Sequence, residues 1–289
     1  MPPKPPMTPE RRRAAEDMIL KRYEDQGLYN KSLFKKVSEA YDALQKPGDA
    51  SRWLVTWEGE YDEWPQERPT GHYATVMFST IQHLLWRNVH CLHDLEGQAL
   101  IWKEYIPTPP LPILYLNLTE AAQKFDEDSI DWLNGRYHAD LCEALHHRGI
   151  PTVRKIVGFG LGGFFFQQQE IGNKRSMMQH RLVKSLRDIL RNHQETTSIQ
   201  VLVQDPRYGR LEKDILDMVV IHAVDHPFQG FLEVDEQTAV VSIAPQIPVK
   251  HIITDISRPA LIIWDAVSPR FEDSTGPENE RWRLSGNSA

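Results

Sequence analysis

The sequence has little cysteine and no long apolar run. Its 289 residues include two cysteines, Cys91 and Cys142, which are too few for a disulfide scaffold or a four-thiolate zinc site. No stretch reaches the roughly 18 consecutive apolar residues that a membrane-spanning helix needs. The basic residues at positions 11–13 are not followed by the apolar segment of a secretory signal. These absences predict an intracellular protein, located in the cytoplasm, with the nucleus as a second candidate location.

Basic residues are also fewer than acidic residues. Lys and Arg number 33 against 40 Asp and Glu, which gives a formal net charge of -7 at pH 7. Proteins that hold nucleic acid or anionic membranes need clustered positive charge, so we expect no nucleic-acid partner and no membrane partner. The hydrophobic share of 40% and the charged share of 25% are ordinary globular values.

Common catalytic motifs are missing as well. The sequence contains no nucleophile elbow, no His-Glu-x-x-His motif and no P-loop. His138, Cys142 and His146 are spaced to share one helix face, and imidazole and thiolate groups suit zinc or haem iron. The first and third of these positions lie about 12 Å apart along a helix axis, too far to converge on one ion. We therefore predict no metal site, and the catalytic residues of any activity stay unknown.

The N-terminal half is predicted to be mainly helical. Residues 1–9 are proline-rich and should form a disordered lead-in. Helices are expected from position 10 to about 26, at 31–44 and at 119–147. Residues 51–70 combine tryptophans with acidic residues and prolines, and we expect an irregular segment laid over a surface. The sequence thus predicts a helical, Trp-rich region at 10–149 that packs on the rest of the chain.

The second half alternates short apolar strands with amphipathic helices. Strands are predicted at 154–159, 199–203, 218–222, 239–243 and 260–264, and helices at 175–191, 211–216 and 249–256. Strands and helices that alternate in this way form a parallel sheet covered on both faces. We therefore predict an α/β fold at 150–265, with a doubly wound, mostly parallel, Rossmann-like sheet, and a flexible tail at 266–289.

Glycines and an aspartate follow the first two predicted strands, and we predict that Asp205 lies at the carboxyl end of a central strand, next to the turn at Gly158–Gly163. In a doubly wound sheet, ligands bind at the carboxyl ends of the strands, and glycine lets the backbone approach a ligand closely. S-adenosylmethionine and nucleotides are the candidate ligands, because an acid after the second strand can accept hydrogen bonds from ribose hydroxyls; haem is the weakest candidate. The alternative is that the glycines only form a turn and that the aspartate only caps the next helix. The candidate ligand-binding residues are Gly158, Gly160, Gly162, Gly163 and Asp205.

Three consecutive aromatic residues, Phe164, Phe165 and Phe166, follow the glycines. Neither a strand nor a helix can bury three consecutive side chains on one face. We expect at least one of them to line the cleft or to cover it as part of a lid.

Several segments of this half resemble the SRR-like domain family, named for "sensitivity to red light reduced". Gln179 resembles a glutamine that is common in the domain, and the segment through Pro259–Trp264 looks most like the fungal branch. The segments that carry the resemblance are Lys155–Gly162 (strand and turn), Val203–Tyr208 followed by Leu211 and Glu212 (an Asp-Pro, then Leu-Glu signature), and Val240–Pro245 (a later strand).

The resemblance implies a regulatory role and no settled reaction. Family roles include light and circadian signalling in plants, microtubule-drug sensitivity in yeast and haem metabolism in animals. Many members have proline and histidine after the later strand, where this sequence has Pro245 and Gln246. If that histidine carried activity or bound a metal, this chain lacks it.

Two functions remain open from the sequence. The first is a regulatory or interaction protein that keeps a nucleotide-like pocket, with a small-molecule ligand and a protein partner. The alternative is a transferase-like enzyme that depends on S-adenosylmethionine or a nucleotide and uses the glycine-rich turn and Asp205. The missing catalytic motifs favour the first function.

Overall fold

A computed structural model describes residues 9–44, 51–56, 61–65, 72–79, 99–107, 118–146, 149–163, 170–196 and 198–265. Within these ranges, none of the helices has the length and apolar character required to cross a membrane. Most of the predicted lead-in, the predicted tail, Cys91 and the three phenylalanines at 164–166 lie outside the described residues.

The N-terminal part contains two helices and an antiparallel sheet. Helix α1 spans Pro9–Gln26 and α2 spans Lys31–Leu44. Four strands follow, paired in the order β2-β1-β4-β3: β1 (Ser51–Thr56), β2 (Tyr61–Pro65), β3 (His72–Phe78) and β4 (Ala99–Pro107). The expectation of an irregular segment at 51–70 is therefore wrong for β1 and β2, whereas the helices predicted at 10–26 and 31–44 are present. Aromatic and β-branched residues favour strands. The strand β4 that pairs with β1 is distant in sequence, so the residues around 51–70 give no local indication of the pairing.

The helix predicted at 119–147 is two helices. Helix α3 spans Leu118–Leu133 and α4 spans Arg136–His146. The chain turns between them at Asn134 and Gly135, where the Gly135 N–H donates to the Trp132 carbonyl at 3.0 Å. Leu133 and Tyr137 are exposed whereas Leu141 and Leu145 are buried, so a single buried row of side chains does not run through both helices.

The second sheet is parallel throughout and confirms the predicted α/β fold. Its strand order is β7-β6-β5-β8-β9. Helix α5 begins at Glu170, before the predicted position 175, and Met218, predicted to be in a strand, ends α6. The elements are β5 (Lys155–Phe159), α5 (Glu170–His193), β6 (Gln200–Gln204), α6 (Arg210–Met218), β7 (His222–Ala223), α7 (Gln229–Leu232), β8 (Thr238–Ser242), α8 (Val249–Ile256) and β9 (Leu261–Trp264).

Alternate residues of the parallel strands pack into two separate cores. In β5, Val157 and Phe159 face a core shared with α1, α2, β3, β4 and α8, whereas Ile156 faces a core shared with α3, α4, α5 and α6. The Asp255 carboxylate of α8 accepts a hydrogen bond from the Leu28 N–H at 2.8 Å, which fastens the N-terminal helices to this layer. The N-terminal part thus packs, together with α7 and α8, on one face of the parallel sheet.

Candidate functional site

A cavity of about 590 Å³ lies at the carboxyl ends of the parallel strands. The order of the strands reverses at β5, whose neighbours are β6 on one side and β8 on the other. This reversal is the topological switch point at which doubly wound sheets bind ligands. The volume falls within the roughly 300–1,000 Å³ of small-molecule sites. The cavity is lined by residues of the β5 turn (Gly160, Leu161, Gly162), of β6 and its end (Gln204, Asp205), of α5 (Arg175, Ser176, Gln179) and of the segment after β8 (Ala244, Gln246).

Asp205 joins the glycine turn to the end of β6. Its Oδ2 accepts a hydrogen bond from the Gly162 N–H at 2.7 Å, and its Oδ1 accepts one from the Arg207 N–H at 2.8 Å. The predicted meeting of Asp205 with the glycine turn is therefore confirmed. The alternative that Asp205 caps the next helix is wrong, because the N-cap of α6 is Gly209. Burial raises the pKa of Asp205 above its ordinary 3.8, against the opposing effect of the two backbone hydrogen bonds and of the Arg207 charge.

Two of the predicted glycines allow tight turns beside the cavity. Gly160 and Gly162 have φ angles of +65° and +78°, which residues with a Cβ rarely adopt. A Cβ on Gly162 would stand 2.3 Å from Ser176 Oγ, so this glycine also lets α5 approach the sheet. The other two, Gly158 and Gly163, are buried and are not among the described residues that line the cavity.

A buried histidine and tyrosine adjoin the aspartate. His180 Nδ1 lies 2.7 Å from the Ser176 carbonyl oxygen, which can only accept, so this nitrogen carries the proton. His180 Nε2 therefore accepts from the Tyr208 hydroxyl at 2.8 Å. Burial lowers the pKa of His180 to about 4, so the ring is neutral at neutral pH. Burial, with the charges of Asp205 and Glu212, holds the pKa of Tyr208 well above its ordinary 10.0.

This pair was not predicted from the sequence, although a signal for it exists. His180 stands three residues after Met177 and three before Val183, both of them in the buried stripe of α5. A histidine within an apolar helical stripe needs a buried hydrogen-bond partner. The identity of that partner, Tyr208, depends on the tertiary fold.

Two glutamines at the cavity have different surroundings. Gln204 uses its whole amide, since Nε2 donates to the Pro227 carbonyl and Oε1 accepts from the Gly230 N–H, both at 2.8 Å. Gln179 is 7% exposed, and its buried Oε1 has no hydrogen-bond partner among the described residues. An unpaired buried acceptor costs roughly 1–3 kcal/mol, so Gln179 lowers the stability of the fold.

The described lining of the cavity is more basic than the chain as a whole. Arg175 and Arg207 are exposed, and the Lys213 ammonium pairs with the Asp225 carboxylate at 2.5 Å. Within the described residues, no group of three or more His, Cys, Asp and Glu side chains could hold a metal ion. The side chains of His138 and Cys142 do approach each other, with 3.8 Å between Nε2 and Sγ.

The comparison with protein families gives one match, between residues 140–273 and the SRR1 domain. The chain carries an SRR1 domain. The match begins within α4 and includes every strand of the parallel sheet. The comparison with curated proteins found no match, and neither did the comparison with solved structures. The match identifies the domain and not a branch of the family, so the fungal branch stays a prediction.

The wall of the cavity extends beyond the SRR1 domain. Tyr41 of α2 and the three residues Val76, Met77 and Phe78 of β3 line it, and all four precede the matched region. The Tyr41 ring packs edge-on against the His226 ring, with 5.2 Å between centroids. The N-terminal part therefore contributes to the cavity as well as to the core.

Proposed function

We propose that this chain is a regulatory protein whose SRR1 domain binds a small-molecule ligand in the cavity at the switch point. The observation that carries the proposal is Gln179, a cavity residue whose buried amide oxygen lacks a partner within the described part of the chain. A rotation of its side chain toward a bound ligand would satisfy that oxygen. Residues that lower the stability of the fold are characteristic of functional sites.

The described chemistry of the cavity suits binding better than catalysis. Both ring nitrogens of His180 are engaged, and its pKa of about 4 makes it a weak base. Gln246, at the position where many family members have histidine, carries an amide that does not titrate. Asp205 already accepts two backbone hydrogen bonds. Asp205 and Gln246 offer hydrogen bonds to a ligand, and none of these three residues is an activated nucleophile.

One observation favours the alternative, an enzyme that depends on S-adenosylmethionine or a nucleotide. Burial raises the pKa of Asp205 at the edge of the cavity, and carboxyl groups with perturbed pKa values concentrate at catalytic sites. An enzyme would turn over its ligand, whereas a regulatory domain would release it unchanged. Mass spectrometry of a bound compound before and after incubation separates the two functions.

A thermal-shift screen tests the proposal directly. S-adenosylmethionine, NAD, ATP and haem are added separately to the full chain, and a ligand raises the unfolding midpoint by mass action. Gln179→Met should abolish the shift and, without ligand, raise the free energy of unfolding by about 1 kcal/mol because the orphaned acceptor is gone.

The matched control is Gln194→Met, just after the end of the same helix. Gln194 Oε1 accepts from the Val153 N–H at 2.8 Å, so this variant should lose stability and keep the ligand shift. A ligand shift that survives Gln179→Met unchanged would contradict the proposed site.

The regulatory function also includes a protein partner and an intracellular location, in the cytoplasm and as a second candidate in the nucleus. The SRR1 domain and the near-absence of cysteine support this part of the proposal. Fractionation of cells that express a tagged chain tests the location, and cross-linking of the Gln179→Met variant against the wild type tests whether partner binding depends on the ligand.

A further inference from the structure

We propose that the ligand is a nucleoside phosphate and that residues outside the SRR1 domain, Tyr41 and Met77, hold its base. This inference rests on the proposed function and goes one step further, because it assigns a chemical class to the ligand and a role in specificity to the N-terminal part.

The apolar wall of the cavity fits a flat ring. Val76 and Phe78 are buried in the core, whereas Met77 and Tyr41 are half-buried beside the cavity. Tyr41 is held in place by edge-on contacts, with ring centroids 5.2 Å from His226 and 6.0 Å from Phe228. Aromatic rings and the polarizable thioether of methionine both make favourable contacts with aromatic faces.

The basic side chains of the cavity fit a phosphate. Arg175 forms no ion pair with any residue that the structure describes, and Arg207 follows directly on the Asp205 turn. Guanidinium groups bind phosphate oxygens through paired, charge-assisted hydrogen bonds. Three basic and two acidic side chains line the described part of the cavity in a chain of net charge -7, so positive charge is concentrated here.

The same charges select among the candidate ligands. S-adenosylmethionine carries a sulfonium and an ammonium group against a single carboxylate, whereas a nucleoside phosphate is an anion, so two arginines favour the nucleoside phosphate. Asp205 and Gln179 present hydrogen-bond acceptors to the cavity. The hydroxyl and amino groups of a nucleoside can donate hydrogen bonds to them. The combination of acceptors, guanidinium groups and an apolar wall matches base, sugar and phosphate together.

Calorimetric titration of the full chain with ADP, adenosine and inorganic phosphate tests the inference. ADP should bind more tightly than adenosine or phosphate alone. Tyr41→Ala and Met77→Ala should weaken both adenosine and ADP at least fivefold, because both probes contain the base. Arg175→Ala should weaken ADP at least fivefold and leave adenosine unchanged. Met18→Ala, on an exposed position of α1, and Arg210→Ala, on an exposed position of α6, are the matched controls.

The outcomes separate this inference from the proposed function. Unchanged ADP affinity in Met77→Ala, or binding of S-adenosylmethionine in preference to ADP, overturns the inference and leaves the proposed function standing. No binding of any compound in the screen overturns both. If Tyr41→Ala fails to fold, Met77→Ala decides, because Met77 borders the cavity and is not part of the buried core.

Discussion

At the scale of single residues, Asp205 links two neighbouring strand ends. One oxygen binds the glycine turn after β5 and the other binds the turn after β6. The carboxylate therefore holds the two strand ends together at the floor of the cavity. A hydrogen bond to a charged acceptor contributes roughly 1.5–3 kcal/mol, and the burial that raises the pKa of Asp205 offsets part of this gain.

We expect Asp205→Ala to lower the free energy of unfolding by about 1–3 kcal/mol, because two backbone N–H groups lose their acceptor. Asp205→Asn should cost less, since its amide oxygen can still accept one of the two bonds. Urea unfolding measures both. Asp225→Ala is the control: it removes an exposed carboxylate of the same cavity and breaks only a surface pair, which contributes about 0–1 kcal/mol. Equal losses for Asp205→Ala and Asp225→Ala would refute the linking role.

The meeting of Asp205 with the glycine turn could be predicted because parallel strands place their carboxyl ends at one edge. The partners of the buried polar groups could not. Nothing in the sequence indicates that His180 pairs with Tyr208, 28 positions away. The sequence also does not distinguish Gln179, whose Oε1 has no described partner, from Gln194, whose amide forms two hydrogen bonds. These contacts depend on how α5 is rotated against the sheet.

At the scale of elements, helix α5 lies close to the sheet because Gly162 has no side chain. We expect Gly162→Ala to lower stability by about 1–3 kcal/mol, since φ is +78° and the new Cβ would stand 2.3 Å from Ser176 Oγ. Adding Ser176→Ala should recover part of the loss, because it removes that atom.

Gly149→Ala is the matched control for this prediction. A Cβ added to Gly149 would meet no described atom within 4 Å beyond its chain neighbours, and the φ angle of this glycine is not positive. Its replacement should therefore change stability by at most about 0.5 kcal/mol. Thermal unfolding of the four proteins measures the effects: the wild type, the two single glycine variants and the double variant. A Gly162→Ala chain as stable as Gly149→Ala would show that α5 can move away from the turn at no cost.

The buried hydrogen bond between His180 of α5 and Tyr208, which follows β6, should make the free energy of unfolding depend on pH. The pKa of His180 is about 4 in the folded chain and near 6.5 when unfolded, so only the unfolded chain binds a proton between these values. The free energy of unfolding therefore has its full value above pH 6.5. It decreases as the pH falls toward 4, by about 3 kcal/mol in all.

His180→Gln should remove this part of the pH dependence, which is measured as the difference from the wild type in urea unfolding at pH 7, 6, 5 and 4. His193→Gln, at an exposed position near the end of the same helix, is the matched control variant. A parallel pH profile for His180→Gln and the wild type would mean that the histidine is not held neutral in the fold.

Elements with local signals were predictable, and elements that depend on distant partners were not. The strands β5, β6, β8 and β9 are short apolar runs that alternate with helices, and each could be predicted from its own residues. Strands β1 and β2 are mixed in polarity, and β1 pairs with β4, where Leu54 lies opposite Trp102. The break between α3 and α4 was not predicted because the apolar spacing continues across Gly135.

At the scale of the whole molecule, the N-terminal part and the SRR1 domain share one core and one cavity. Phe34 of α2 stacks against Phe78 of β3 and lies edge-on to Phe228, which joins three parts of the chain in a single aromatic cluster. A ligand in the cavity would touch both parts at once. Under the proposed function, this shared core is the route by which ligand binding would affect the N-terminal surface.

The measurement that tests the central claim most directly is a methyl spectrum of the full chain, labelled at its seven methionines, during titration with ADP and with each compound of the screen. Met77 lines the cavity, whereas Met18 and Met218 are exposed on α1 and α6, and Met77→Leu assigns the first signal. A ligand at the switch point should shift the Met77 signal in a saturable way and leave those of Met18 and Met218 in place. A compound that binds without shifting Met77, or the absence of any saturable shift, would contradict the assignment of this cavity as the functional site.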